Sequence, residues 1–163
     1  MQEGGAANRT ISQIDFIVFA SRGLKLLGSD LKSSQAATVR KYTVPRYSIV
    51  GLSLYTQDLG DPGTGDMAPF VPAQKVNRAQ VARVLDRLVN FKEDKKIQSS
   101  VKVIDVSGPA VAAVGRVLEV GLMTGTPDEN GQFLFNPRGM ISKAEAGKLI
   151  LKAVYLAETL EVK

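Results

Sequence analysis

Thr10-Ile11-Ser12-Gln13-Ile14-Asp15, Lys75-Val76-Asn77-Arg78-Ala79-Gln80 and Met140-Ile141-Ser142-Lys143-Ala144-Glu145 align without a gap, and Ser12, Asn77 and Ser142 stand 65 and again 65 residues apart. Each segment supplies an apolar residue, a side chain that caps helix N-termini, and an Asp, Gln or Glu three positions after the cap. The second and third segments form the capping-box pattern, because Gln80 and Glu145 are long enough to reach back to the cap's own N–H. Asp15 is the shorter counterpart in the first. Apolar side chains then recur at steps of three and four. They are Phe16, Phe19, Ala20, Leu24 and Leu27 in the first copy, Val81, Val84, Leu85, Leu88 and Val89 in the second, and Ala146, Leu149, Ile150, Ala153 and Val154 in the third. This spacing gives each helix one apolar face, and three such faces share a core. One capping box arises easily by chance; three in register mark an internal repeat.

The repeat extends upstream of two of the caps. Phe70-Val71-Pro72 and Phe135-Asn136-Pro137 are 65 residues apart, and Pro45–Gly51 matches Pro109–Gly115 at an offset of 64. The Gly-rich loops Gly60–Gly65 and Gly125–Gly131 absorb the one-residue difference. Proline suits a first helical turn, since the donor it lacks would be unpaired there. The unit is therefore a Pro-started helix, a Gly-rich turn, a Phe-x-Pro extended piece and a capped helix. In the first copy Gly5 and Ala7 stand where Phe and Pro would be. That leaves one side of the shared core to be covered otherwise, and Leu31–Tyr42 is a helix candidate for the task. Lys92-Glu93-Asp94-Lys95-Lys96 is a solvated connector. Of Tyr42, Tyr47 and Tyr55, two are expected in the core. The chain divides into a disordered N-terminus (1–9), a partial repeat with connector (10–43), a second repeat (44–100) and a third (101–163), all within one module.

Composition excludes more than it specifies. The 163 residues contain neither Cys nor His, which removes thiol chemistry, Cys/His zinc sites and His-based triads. Acidic residues fall at caps, turns and the charged connector, and no pair is singled out for general acid–base work. No catalytic residue, metal or cofactor is expected. The net charge of +5 suits an acidic partner. The basic residues are scattered without a basic–aromatic motif, which argues against nucleic acid. No apolar run approaches the roughly 20 residues of a membrane span. The first residues lack a signal peptide's basic and apolar regions, so the signal of an exported chain would have been removed or would lie outside this sequence.

The unit resembles the S-layer homology (SLH) repeat. In the third copy Ile104-Asp105-Val106 stands for the opening, Gly121-Leu122-Met123-Thr124-Gly125 for the turn, Phe135-Asn136-Pro137 for the extended piece, and Ile141-Ser142-Lys143-Ala144-Glu145 for the capped helix. The second copy keeps Phe70-Val71-Pro72 and Val76–Gln80 but has Thr43 for the opening Asp, and the first keeps only the capped helix. The resemblance implies a mainly α fold: tandem helix-loop-helix repeats in a pseudo-threefold bundle around three central capped helices. It also implies an extracellular, envelope-attached module that binds an acidic, often pyruvylated, cell-wall polysaccharide or peptidoglycan-linked glycan. The basic residue after the cap would meet the ligand carboxylate in an inter-repeat groove. Those positions read Gln13, Arg78 and Lys143 here, so Arg78 fits best, Lys143 in part, and Gln13 lacks the charge. Asn77 and Ser142 at the caps, and Gly121 and Gly125 in the turn, complete the expected glycan-binding set. Capping and turn formation are the first roles of these four. Free N–H donors at the helix start would add to such a carboxylate site. Asp105 is read as a cap or turn former. The alternative is a degenerate SLH fold, its grooves lost, that assembles with other surface-layer subunits.

Overall fold

A computed structural model describes residues 8–26, 60–61, 66–67, 73–89, 98–108 and 110–159. The elements expected at 31–42, 45–51, 70–72 and 92–96, and the positions of Leu27 and the three tyrosines Tyr42, Tyr47 and Tyr55, lie outside them. Among the described residues the chain is mainly helical. It contains α1 (Gln13–Leu26), α2 (Arg78–Val89), α3 (Ala110–Glu119) and α4 (Lys143–Thr159). Two antiparallel two-residue ladders accompany them, β1 (Gly60–Asp61) with β2 (Asp66–Met67) and β3 (Thr126–Pro127) with β4 (Phe133–Leu134). Each expected Gly-rich loop thus supplies the first strand of a minimal hairpin, whose second strand lies just beyond the loop and which the sequence did not announce.

All three capped helices start where expected. Ser12 Oγ accepts from Asp15 N, Asn77 Oδ1 from Gln80 N and Ser142 Oγ from Glu145 N, at 3.3, 2.9 and 3.1 Å. Among the described residues the return bond of a capping box forms only in the second copy, where Asn77 N donates to Gln80 Oε1 at 2.9 Å. The box expected in the third copy stays half-made. Glu145 is exposed there, and among the described residues its side chain makes no return bond to Ser142 N.

The three starts pair cyclically. Ser12 bridges Lys75, Asn77 bridges Met140 and Ser142 bridges Thr10. The first helical amide of each is taken by the segment before another helix: Gln13 N by Gln74 O, Arg78 N by Gly139 O and Lys143 N by Arg9 O, each at 2.8 Å. A helix cannot satisfy its first amides internally, so this ring answers a need that all three share. Ile11, Val76 and Ile141, one from each start, are buried at its centre, with Ile11 N bonded to Ile141 O and Val76 N to Ile11 O.

Below the ring the core is built in complementary sizes. At the spacing of 65 residues Phe16 corresponds to Val81 and Ala146, Ala20 to Leu85 and Ile150, and Gly23 to Leu88 and Ala153. All the side chains in these sets are buried. Each set mixes bulky and small residues, which is how a shared core fills without voids. At Gly23 side chains of both other helices close in: an added Cβ would lie 2.9 Å from Ile150 Cγ2, 3.2 Å from Val154 Cγ2 and 3.4 Å from Leu88 Cδ2. Outside this centre α3 packs on α2, and Arg116 of α3 makes two 2.7 Å bonds to the carboxylate of Asp86, a buried residue of α2. That hydrogen bond is the main reason the Arg116 guanidinium titrates above its ordinary value.

Gly23→Leu tests this convergence. Leucine gains about 1 kcal/mol of helix propensity over glycine, but overpacking costs about 1–3 kcal/mol or more where two neighbouring helices must yield. We expect a net loss of stability, read as a lower urea midpoint with unchanged slope.

Candidate functional site

The third copy builds a prong beside the start of α2. Helix α3 ends in a Schellman motif: Gly121, at φ 75°, donates to Leu118 O, and Leu122 donates to Val117 O. Glycine is needed there because the left-handed conformation is strained for other residues. The buried Leu122 and Val117 provide the apolar contact that accompanies the motif. The chain then enters the β3–β4 hairpin at Gly125, where a Cβ would lie 2.9 Å from Leu134 O. Strand β4 is held on its other side by residues 102–104, through Phe133 N to Lys102 O at 2.9 Å and Ile104 N to Phe133 O at 3.0 Å.

Asp105 continues that attachment. Its carboxylate accepts from Phe135 N at 2.8 Å and Asn136 N at 2.7 Å, across thirty residues of chain. The expected local cap or turn former is therefore a long-range clamp. Phe135-Asn136-Pro137 is also not simply extended: Asn136 adopts φ 58° and the chain turns at Pro137-Arg138. Charge-assisted bonds to two successive amides hold a backbone that would otherwise favour another conformation.

Arg78 lies against this prong. Its Nε donates to Phe135 O at 3.0 Å and its Nη2 to Thr124 O at 2.6 Å, and the guanidinium carbon sits 4.6 Å from the centre of the buried Phe135 ring. Desolvation pushes the guanidinium below its ordinary value, opposed by the charges of Glu145 and Asp105. Arginine remains a cation throughout. Two of its five N–H groups are bonded within the described residues, and three are left for other partners. Gly139 leaves room for the arginine stem, since a Cβ there would meet Arg78 Cδ at 2.9 Å and Asn136 Nδ2 at 2.7 Å.

The helix start itself is not an open anion site. Arg78 N is bonded to Gly139 O, Ala79 N to Pro137 O and Gln80 N to Asn77 Oδ1. The free amide donors expected at this position are already used, because the prong's carbonyls dock onto them. Any anion held here meets the guanidinium, not the helix amides.

The seven expected site residues fall into three places. Arg78 reaches the Gly121–Gly125 turn through Thr124 O, while Asn77 beside it caps α2 and bridges Met140 instead of meeting the turn. Lys143 and Ser142 stand at the start of α4, where Lys143 Nζ is 3.5 Å from Asp15 Oδ2. Gln13 lies at the start of α1 and is only 1% exposed, so its side chain is packed inside instead of facing a ligand. Sequence reasoning passed over Thr124, Gly139 and the clamping role of Asp105. A signal for Gly139 was present: its counterparts at the spacing of 65 are Gln74 and Arg9, and only this copy has no side chain there. The chain matches no protein-family model and no curated protein.

Asp105→Ala removes two charge-assisted bonds and should cost about 1.5–3 kcal/mol in a urea titration. Faster hydrogen exchange at the Phe135 and Asn136 amides, with the amides of α1 unaffected, locates the loss in the prong.

Proposed function

We propose that this chain is a non-catalytic, SLH-like anchoring module of the cell envelope. Its three capped helices form the centre of a pseudo-threefold bundle, and it binds an acidic, pyruvylated or uronate-bearing, cell-wall glycan. The observation that carries the reading is the half-buried Arg78 between the start of α2 and the prong at Thr124 and Phe135. A guanidinium already oriented by two carbonyls and an aromatic face loses little freedom when it pairs with a carboxylate. Its unused N–H groups match a carboxylate in the bidentate manner. Lys143 offers a second, weaker point charge that must first leave Asp15. Among the described residues no helix is long and apolar enough to cross a membrane.

A second reading is a protein-assembly module whose sugar grooves are no longer used. It is favoured by the two Arg78 donors already committed to main-chain carbonyls. Co-sedimentation with purified wall polysaccharide attached to peptidoglycan separates the two. The anchor reading expects sedimentation of the folded protein, and Arg78→Ala should weaken it at least about tenfold. Arg78→Lys should recover only part of it, because it keeps the charge without the planar fork. Circular dichroism of both variants confirms that the fold survives. A folded wild-type protein that sediments with no acidic wall fraction sinks the anchor reading.

A further inference from the structure

The spacing of 65 residues also relates the outer faces of α2 and α4: Arg83, Asp86 and Arg87 correspond to Lys148, Leu151 and Lys152. On α2 this face is covered by α3, and Arg83 and Asp86 are buried. On α4 the same face is bare, with Leu151 62% and Tyr155 69% exposed between the exposed Lys148 and Glu158. Among the described residues no helix does for α4 what α3 does for α2.

Lys148, Leu151, Tyr155 and Glu158 follow one another at steps of three, four and three, so they form a single stripe on the helix. The stripe is apolar at its centre with opposite charges at its two ends, and the exposed Lys152 stands at its flank, where two copies would set like charges near each other and weaken the contact. Laid antiparallel on a second copy, it is complementary to itself: Leu151 meets Tyr155 of the second copy, and Lys148 meets the second copy's Glu158, each twice. A parallel arrangement would set Lys148 beside Lys148 and Glu158 beside Glu158. We propose that this face of α4 is a self-association surface, and that α4 of a second copy takes the place on it that α3 takes on α2. The contact is isologous, so it closes at a dimer instead of growing into a filament. The contact is small and predicts a weak dimer, with a dissociation constant on the order of micromolar.

Sedimentation velocity of the full chain from about 1 to 200 µM reads this directly, since that range brackets a micromolar equilibrium. The expected result is a concentration-dependent monomer–dimer equilibrium. Leu151→Glu should hold the chain monomeric, and Lys148→Glu should raise the dissociation constant at least about tenfold. Combining Lys148→Glu with Glu158→Lys should restore association, because the charge order is reversed but still complementary. All these positions are exposed, so the fold is retained, and circular dichroism checks that it is. A wild-type chain that stays monomeric throughout, or a dimer indifferent to the three variants, overturns the proposal. A monomer that instead recruits a different protein to this face overturns it equally. Wall binding through Arg78 is independent of this face, so Lys148→Glu should leave co-sedimentation of the monomer unchanged.

Discussion

Each capped helix gives its first amide to a carbonyl in the segment that precedes another helix, and the three donations close a ring: Gln13 to Gln74, Arg78 to Gly139 and Lys143 to Arg9. A net contribution of about 1 kcal/mol per bond is modest. The consequence for register is larger. A one-residue slip of any start would break two contacts of the ring and pull Ile11, Val76 or Ile141 from its centre. The side-chain caps then complete what the ring begins, since Ser12, Asn77 and Ser142 each take the amide two residues beyond the one bound in the ring. Helix starts that are isolated in most folds are here the point where distant parts of the chain are joined.

The same ring constrains chemistry. Helix N-termini attract anions because their amides are unpaired and the macrodipole is positive there. At α2 the amides are paired with Gly139, Pro137 and Asn77, which leaves the field of the helix but not its donors. An anion reaching this position would meet the Arg78 side chain and the prong that orients it. Arg78 consequently serves two purposes. Two of its donors fasten the prong to α2, and the others project from the fastened geometry. A lysine in its place would lose the planar fork that makes both possible.

The sequence made the helices legible because their information is local. The caps, the period of three and four and the spacing of 65 residues identify α1, α2 and α4, and the same pattern finds most of the buried residues, although in α1 Ile17 is buried and the expected Phe19 only half so. The ring was not legible. It consists of main-chain bonds, and Gln74, Gly139 and Arg9 share no side-chain feature that would reveal a common task. Asp105 was misread for a related reason: an aspartate before a helix is ordinarily a local cap, and nothing nearby in sequence reveals partners at Phe135 and Asn136. Gln13 shows the converse error. Its place beside the cap matches that of Arg78, yet an uncharged amide can be buried with far less penalty than a guanidinium, and it is.

Divergence among the copies therefore has different consequences in the core and at the surface. In the core the changes compensate: Phe16 is matched by the small Ala146, and Gly23 by the larger Leu88, so total volume is kept while the copies differ. At the surface there is no such conservation of volume, and each change alters what a face can do. The exchange of the Asp86 position for Leu151 removes the partner that holds Arg116 on α2 and leaves an apolar residue in its place. A helix bearing an arginine toward this face, as α3 bears Arg116 toward α2, would find no carboxylate at Leu151 to hold it. The face of α4 thus rejects a helix like α3 by chemistry and accepts one that presents an apolar centre. With the Asp86 that holds Arg116 replaced by Leu151, a covered intramolecular contact on α2 becomes an exposed apolar one on α4.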